Sequence, residues 1–323
     1  MRSNPFQPIY TLCNTGTAEE KLVNLPPFPR YLDVELTNCC NFQCLMCPVG
    51  TGTMQRPAGM MDESIFNKLI DEIRHHGTPI RFTRWGEPTL HPNFLEFLKK
   101  AKENHILCHL NTNGSRFSET MIDEFIRLPL DSVKISFQGI DSKSYSEMRN
   151  INFFDTLVDN IRLLYKKRGD SDSPFIHVTT TTTYETPEQI RNFQETLVKI
   201  TDLVTVGKTQ MDLIDLNGIK LSSEERERVE YLKARETINK KHLDICSEVF
   251  DKLSINWDGL VSACCADYNN KMIVGDLNKN TLQEIWSSNK MNTYRKILAE
   301  KRYDDIELCS HCYDAMNIQL PPV

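Results

Sequence analysis

Cys40, Cys44 and Cys47 place three thiols within eight residues, in the run Cys-Asn-Phe-Gln-Cys-Leu-Met-Cys. Three soft ligands on one loop favour an iron–sulfur cluster, and a missing fourth ligand leaves one iron open to a small molecule. A zinc site or unrelated thiols are the alternatives. A second set lies far along the chain. Cys246 and Cys264 flank the two-residue turn signal Asp258-Gly259, and Cys309-Ser-His-Cys312 follows. A hairpin can bring the first two together, and a returning helix can bring Cys309 and Cys312 back to them. That gives four thiolates for one closed site, suited to iron–sulfur or to zinc. His311, inside the last turn, is expected to point away. Cys13, Cys39, Cys108 and Cys265 remain outside both sets, and a buried packing thiol is the default for Cys108.

These sites need a scaffold, and the chain is long enough to supply one. It has 323 residues, 40% of them apolar and 25% charged, the ordinary globular range. The net charge of −6 provides no global positive field for a phosphate backbone, so nucleic acid is not an expected partner. No apolar run reaches a membrane span, and the start, MRSNPFQPIY, lacks the apolar core of a signal peptide. Eleven cysteines in such a chain argue for metal ligation over disulfides, and the expected location is cytoplasmic.

From residue 31, strand and helix patterns alternate. Strands are expected at 31–37, 79–85, 106–112, 132–139, 176–184 and 203–207. Helices are expected at 62–75, 92–103, 118–127, 154–167 and 187–199. Six strand-then-helix units point to parallel strands with right-handed crossovers, too few for the eight-unit barrel. The expected fold is α/β: a partial (β/α)6 barrel with a small C-terminal domain of β-hairpin plus helix. Residues 1–30, rich in proline, are expected to form an extended arm, 31–207 the barrel, 208–245 a polar helical linker, and 246–323 the domain around the second cysteine set. One helix is expected at 281–300. The first cysteine loop then falls at the carboxyl-terminal mouth of the barrel.

The Cys-x3-Cys-x2-Cys loop resembles that of the radical S-adenosylmethionine (SAM) superfamily, and further residues at strand ends extend the likeness. Trp85-Gly86-Glu87-Pro88 stands where the family usually has Gly-Gly-Glu, although Trp85 replaces the first glycine. Asn111-Thr112-Asn113-Gly114 matches the turn beneath the cofactor. The resemblance implies a 4Fe-4S cluster on Cys40, Cys44 and Cys47 whose open iron SAM chelates. It also implies that Gly86 and Glu87 bind the SAM ammonium, and that Ser136 and Gln138 are candidates for the ribose. Arg149 is placed for the carboxylate, unless it is a surface arginine, and Asn113 for the turn. Met46 replaces the usual aromatic residue against adenine; a polarizable thioether can fill that role. The implied chemistry is one-electron cleavage of SAM to methionine and a 5'-deoxyadenosyl radical that takes hydrogen from carbon. A flavodoxin or ferredoxin is the expected electron donor.

Cys246, Cys264, Cys309 and Cys312 look like the Twitch form of the SPASM extension, which implies one auxiliary 4Fe-4S cluster; structural zinc remains the alternative. A single auxiliary cluster most resembles the aminocyclitol dehydrogenase group of butirosin biosynthesis. The first reading is therefore two-electron oxidation of a secondary alcohol on a sugar, aminocyclitol or nucleotide-sugar. The second is a redox-neutral epimerase in which Cys265, beside an auxiliary ligand, returns the hydrogen atom. The third is peptide maturation. Arg81, Arg84, His109, Lys134 and Thr209 sit near strand ends and could bind an anionic or hydroxylated substrate, or could be structural.

Overall fold

The computed structural model describes residues 2–209, 211, 221–235, 246–310 and 312. Its first segment is not extended, which corrects the expectation for residues 1–30. It holds helices α1 (Gln7–Cys13) and α2 (Ala18–Val23). Pro8 falls in the first turn of α1, where its missing N–H costs nothing, and Thr17 and Glu20 cap α2 reciprocally. Pro26, Pro27 and Pro29 keep the stretch before the first strand non-helical.

The barrel strands are β1 (Tyr31–Val34), β2 (Ile80–Phe82), β3 (Cys108–Thr112), β4 (Ser132–Ser136), β5 (Phe175–Thr182) and β6 (Leu203–Lys208). All neighbours pair in parallel in sequence order. Their crossover helices are α3 (Glu63–Ile73), α4 (Phe94–Glu103), α5 (Glu119–Arg127), α6 (Ser142–Arg149), α7 (Phe154–Arg168) and α8 (Pro187–Leu197). Each of α3, α4 and α5 turns an apolar stripe onto the sheet, as Phe66, Leu69, Ile70 and Ile73 of α3 do. The sequence pattern does not reveal α6, a mainly polar helix. A reciprocal cap between Asp141 and Ser144 starts it, and Asn150 in the left-handed conformation ends it.

Beyond β6, only α9 (Ser223–Arg235) of the expected polar segment 208–245 lies within the described residues as a helix. Then come α10 (Glu248–Asp251), β7 (Lys252–Ile255), β8 (Leu260–Ser262), β9 (Ile273–Asp276), α11 (Leu282–Trp286), α12 (Asn289–Ala299) and α13 (Glu307–Ser310). The hairpin of β7 and β8 is not free-standing. β7 runs parallel to β1 over four residue pairs, so one nine-stranded sheet carries both parts of the chain. The single helix expected at 281–300 is two, because Ser288 leaves the helical conformation and caps α12.

The junction is ionic as well as hydrogen-bonded. Asp33 of β1, fully buried, accepts from Arg81 Nε at 2.6 Å and from Lys252 Nζ at 2.7 Å; Lys252 also pairs with Glu248 at 2.5 Å. Burial alone would raise the Asp33 carboxyl, but the two cations hold it far below the usual carboxylate range.

Candidate functional site

A cavity of about 330 Å3 opens at the carboxyl ends of β1 to β5, and Cys40, Cys44 and Cys47 form one of its walls. The loop bearing them is held tightly. Leu45 N donates to Met148 O at 2.8 Å, and a Cβ on Gly50 would come well inside 3.0 Å of the Cys44 backbone. Burial pushes the Cys40 thiol up to about 12, and nearby Cys44 and Glu87 push the same way.

The other residues singled out for the cofactor surround the same cavity: Met46, Gly86, Glu87, Asn113, Ser136, Gln138 and Arg149. Gly86 has φ +85°, and a Cβ there would sit well inside 3.0 Å of Thr37 O and Cys39 O, so only glycine lets the turn lie against the cysteine loop. Gly86→Ala is expected to weaken SAM binding about tenfold or more, because the strained φ alone costs roughly 1–3 kcal/mol. Equilibrium dialysis checks this, and an unchanged affinity would contradict the close approach.

Glu87 is buried. Its carboxylate accepts from Thr89 Oγ1 at 2.6 Å, from Thr112 Oγ1 at 2.7 Å and from Asn113 N at 2.7 Å, tying the turn after β2 to the end of β3. Burial raises its pKa against those hydrogen bonds. Asn113 Nδ2 donates to Asn41 Oδ1 at 3.1 Å, next to Cys40. Gln138 is oriented at both ends of its amide: its Nε2 donates to Thr209 Oγ1 at 2.6 Å and its Oε1 accepts from Thr181 Oγ1 at 2.6 Å, leaving one N–H and one lone pair. Arg149 is no surface residue. From the end of α6 its Nη2 donates to Ser136 O at 2.9 Å and Phe137 O at 3.0 Å, and its Nη1 to Cys44 Sγ at 3.5 Å. Its Nε is buried with no partner among the described residues, an orphan donor on the wall of a cavity that an anionic group fits.

Trp85, the departure from the family pattern, packs its ring edge-on against Tyr268 at 5.7 Å. Beside it, Arg84 has φ +113°, a fully buried side chain, and Nη2 donating to Asp267 O at 2.7 Å. Arg56 Nε donates to Tyr268 O at 2.8 Å while its guanidinium grips Glu35 through both oxygens. The turn after β2 thus clamps the loop after β8, a contact that no local sequence signal marks.

The second cysteine set lines one cavity of about 190 Å3. Cys246, Cys264, Cys309 and Cys312 all face it. Burial pushes the Cys309 thiol up to about 12, and neighbouring Cys312 adds to this. Among the described residues no three of these sulfurs lie within 4.8 Å of one another. Cys265 also lines this cavity and not the larger one. Its N–H donates to Glu248 Oε2 at 2.8 Å, and its sulfur groups with Asp33 and Glu248, whose carboxylates already serve Arg81 and Lys252. His311 lies outside the described residues.

A partial parallel barrel with a three-cysteine loop at its mouth, joined to a four-cysteine cavity, defines a class of iron–sulfur enzymes. The pattern described as the radical SAM superfamily matches residues 34–197, half of the chain, and the chain belongs to that superfamily. Residues 246–313 match the SPASM iron–sulfur cluster-binding domain. SAM, a 4Fe-4S cluster and auxiliary iron–sulfur are accordingly its cofactors. Over 312 residues the chain is 23% identical to the tungsten-containing aldehyde ferredoxin oxidoreductase cofactor-modifying protein of Pyrococcus furiosus, spanning 87% of each. In fold it is similar to BtrN, a butirosin-pathway radical SAM dehydrogenase solved with AdoMet and 2-DOIA: TM-score 0.56, 18% identity, 91% of this chain and 94% of that one. Streptococcus suis SuiB bound to precursor peptide SuiA gives TM-score 0.64 at 15% identity, over 85% of this chain and 68% of that one. Among the described residues no helix is long and apolar enough to cross a membrane.

Proposed function

We propose that this radical SAM enzyme oxidises a secondary alcohol of a polar, carbohydrate-like small molecule by two electrons, with Cys246, Cys264, Cys309 and Cys312 holding a single auxiliary 4Fe-4S cluster. The observation that carries this reading is the parallel pairing of β7 with β1, which fixes the four-cysteine cavity against the barrel, where an electron acceptor can serve the reacting centre. When bound, SAM and the clusters supply the radical that removes one hydrogen atom and the acceptor that takes the second electron.

The chain's own residues bind, orient and exclude water. Cys40, Cys44 and Cys47 hold the SAM-binding cluster. Gly86 and Glu87 receive the ammonium of SAM, Arg149 its carboxylate, Ser136 and Gln138 its ribose, and Met46 its adenine, while Asn113 steadies the turn below. The alcohol loses a hydrogen atom from carbon, a proton from oxygen and one further electron, two hydrogens in all. Cys265 stands on the wall of the auxiliary cavity, away from the SAM cavity, which disfavours it as a hydrogen donor to a substrate radical and with it the epimerase reading. An external electron donor of the flavodoxin or ferredoxin kind starts each turnover.

Incubating the reconstituted, reduced enzyme with SAM and a panel of aminocyclitols, sugars and nucleotide-sugars in deuterated water tests the reading. The expected product is a ketone two mass units lighter than its parent, formed with one 5'-deoxyadenosine and free of solvent deuterium. A product of unchanged composition carrying carbon-bound deuterium would overturn it.

A further inference from the structure

Strand alternation continues the site downward. Thr83, Asn111, Ser136 and Thr179 line the SAM cavity, and the residues two places earlier on the same strands are Arg81, His109, Lys134 and His177. Side chains two apart on a strand share a face, so these four also face the barrel lumen. In register, Arg81 lies beside His109, while Lys134 lies beside Asn111 of the SAM cavity on one side and His177 on the other. The amino-terminal segment closes the far end. The Phe6 ring, fully buried, packs on His109 at 5.6 Å, the Tyr10 hydroxyl lies 3.5 Å from Arg81 Nη1, and Arg2 reaches across to the carbonyls of Gly169 and Ser171. The amino-terminal segment thus covers the end of the lumen opposite the SAM cavity.

The charges facing the lumen do not balance. Arg81 and Lys252 are matched by Asp33 and Glu248. His109 donates or accepts at both ring nitrogens, to Ser132 Oγ and Asn111 Oδ1, each at 2.9 Å, and His177 bonds Thr205 Oγ1 at 2.8 Å. Burial first, then neighbouring cations, pushes these two imidazoles down to about 3 and about 4, so both are neutral. Lys134 is different. It is half-buried, and among the described residues it makes no hydrogen bond or ion pair. Burial lowers its pKa, and the only charge acting with burial is the repulsive one of Arg81. An unpaired, half-buried ammonium facing the lumen is a cost that a bound anion removes.

We propose that Lys134 is the substrate-anchoring residue of this enzyme, and that the substrate carries an anionic group, phosphate or carboxylate, that enters the lumen beneath SAM and bonds the Lys134 ammonium. The inference rests on the reading that the barrel acts on a polar small molecule and adds the charge class of that molecule. The neutral imidazoles and the Thr205 hydroxyl flank the anchor with hydrogen-bonding groups for hydroxyls beside the anion. Arg149, at the mouth, remains for the carboxylate of SAM, so the two anionic groups are held by two separate cations.

The test uses the reconstituted holoenzyme, anaerobic and already saturated with SAM, and titrates in glucose 6-phosphate, glucuronate and glucose by calorimetry. These separate a phosphate, a carboxylate and a neutral sugar of similar size. One of the two anions is expected to bind about tenfold or more tighter than glucose, the value of one charge-assisted hydrogen bond. Lys134→Met is expected to erase that preference and Lys134→Arg to retain most of it, with iron content and SAM affinity matching the wild type in both. No preference in the wild type, an equal preference in Lys134→Met, or a loss confined to SAM affinity would each overturn the assignment. Because binding is read without turnover, a failure here is distinct from a failure to find the ketone.

Discussion

Cys44→Ala is expected to bring reductive cleavage of SAM to the detection floor, while Cys39→Ala leaves it near the wild-type rate. The two cysteines lie within the same six residues but face different surroundings. Cys44 lines the SAM cavity, is 6% exposed, and receives Arg149 Nη1 at its sulfur. Cys39 does not line the cavity; its contribution is the backbone carbonyl that accepts from Glu87 N at 2.8 Å, which alanine keeps. A neighbouring thiol therefore does not substitute for the lost ligand, and a loop with two ligands cannot hold three irons while leaving the fourth open. The measurement is 5'-deoxyadenosine and methionine released by dithionite-reduced enzyme. Activity in Cys44→Ala, or its loss in Cys39→Ala, would contradict the ligand set.

Asp33→Ala is expected to lower stability by about 3–5 kcal/mol, the effect of removing one partner from a buried ionic network and leaving the others uncompensated. Asp33 is wholly buried between Arg81 and Lys252, on the two strands that flank β1. Without it Arg81 loses its carboxylate partner and Lys252 keeps only Glu248 where β7 joins the barrel, so the auxiliary cavity should loosen with the fold. The pH dependence has a definite sign. A carboxyl held far below its unfolded value stabilises the fold at every pH above about 4 and loses that contribution only as acid titrates it. Urea titrations of wild type and variant should differ by a constant amount from pH 8 to pH 5. A difference below 1 kcal/mol would mean that the junction is held by sheet pairing alone.

Much of this was legible because the signals are local. Period-2 and period-3.6 patterns mark the six barrel strands and five of their helices, and the cysteine spacing marks both cavities. Helix α6 is not legible because its face is mostly polar; its start rests on the Asp141–Ser144 cap, which is visible only once the turn is known. The amino-terminal helices were hidden by prolines, yet Pro8 in a first turn permits a helix and Thr17-x-x-Glu20 is a capping pair. The joining of β7 to β1 lies beyond local reading, since the four residues Lys252-Leu253-Ser254-Ile255 carry no mark of which strand they pair with. The same holds for Cys265. Its place beside Cys264 suggests access to a substrate, and only the turn of the chain after β8 shows that it faces Glu248 and the auxiliary cavity.

The most direct test of two clusters in one chain is the iron and sulfide content after anaerobic reconstitution, in wild type and in the Cys40, Cys44, Cys47 triple alanine variant. About eight irons falling to about four is the expected result, one 4Fe-4S cluster on each cysteine set. About four falling to none would contradict it, leave the cavity of Cys246, Cys264, Cys309 and Cys312 without iron, and remove the electron acceptor from the proposed oxidation.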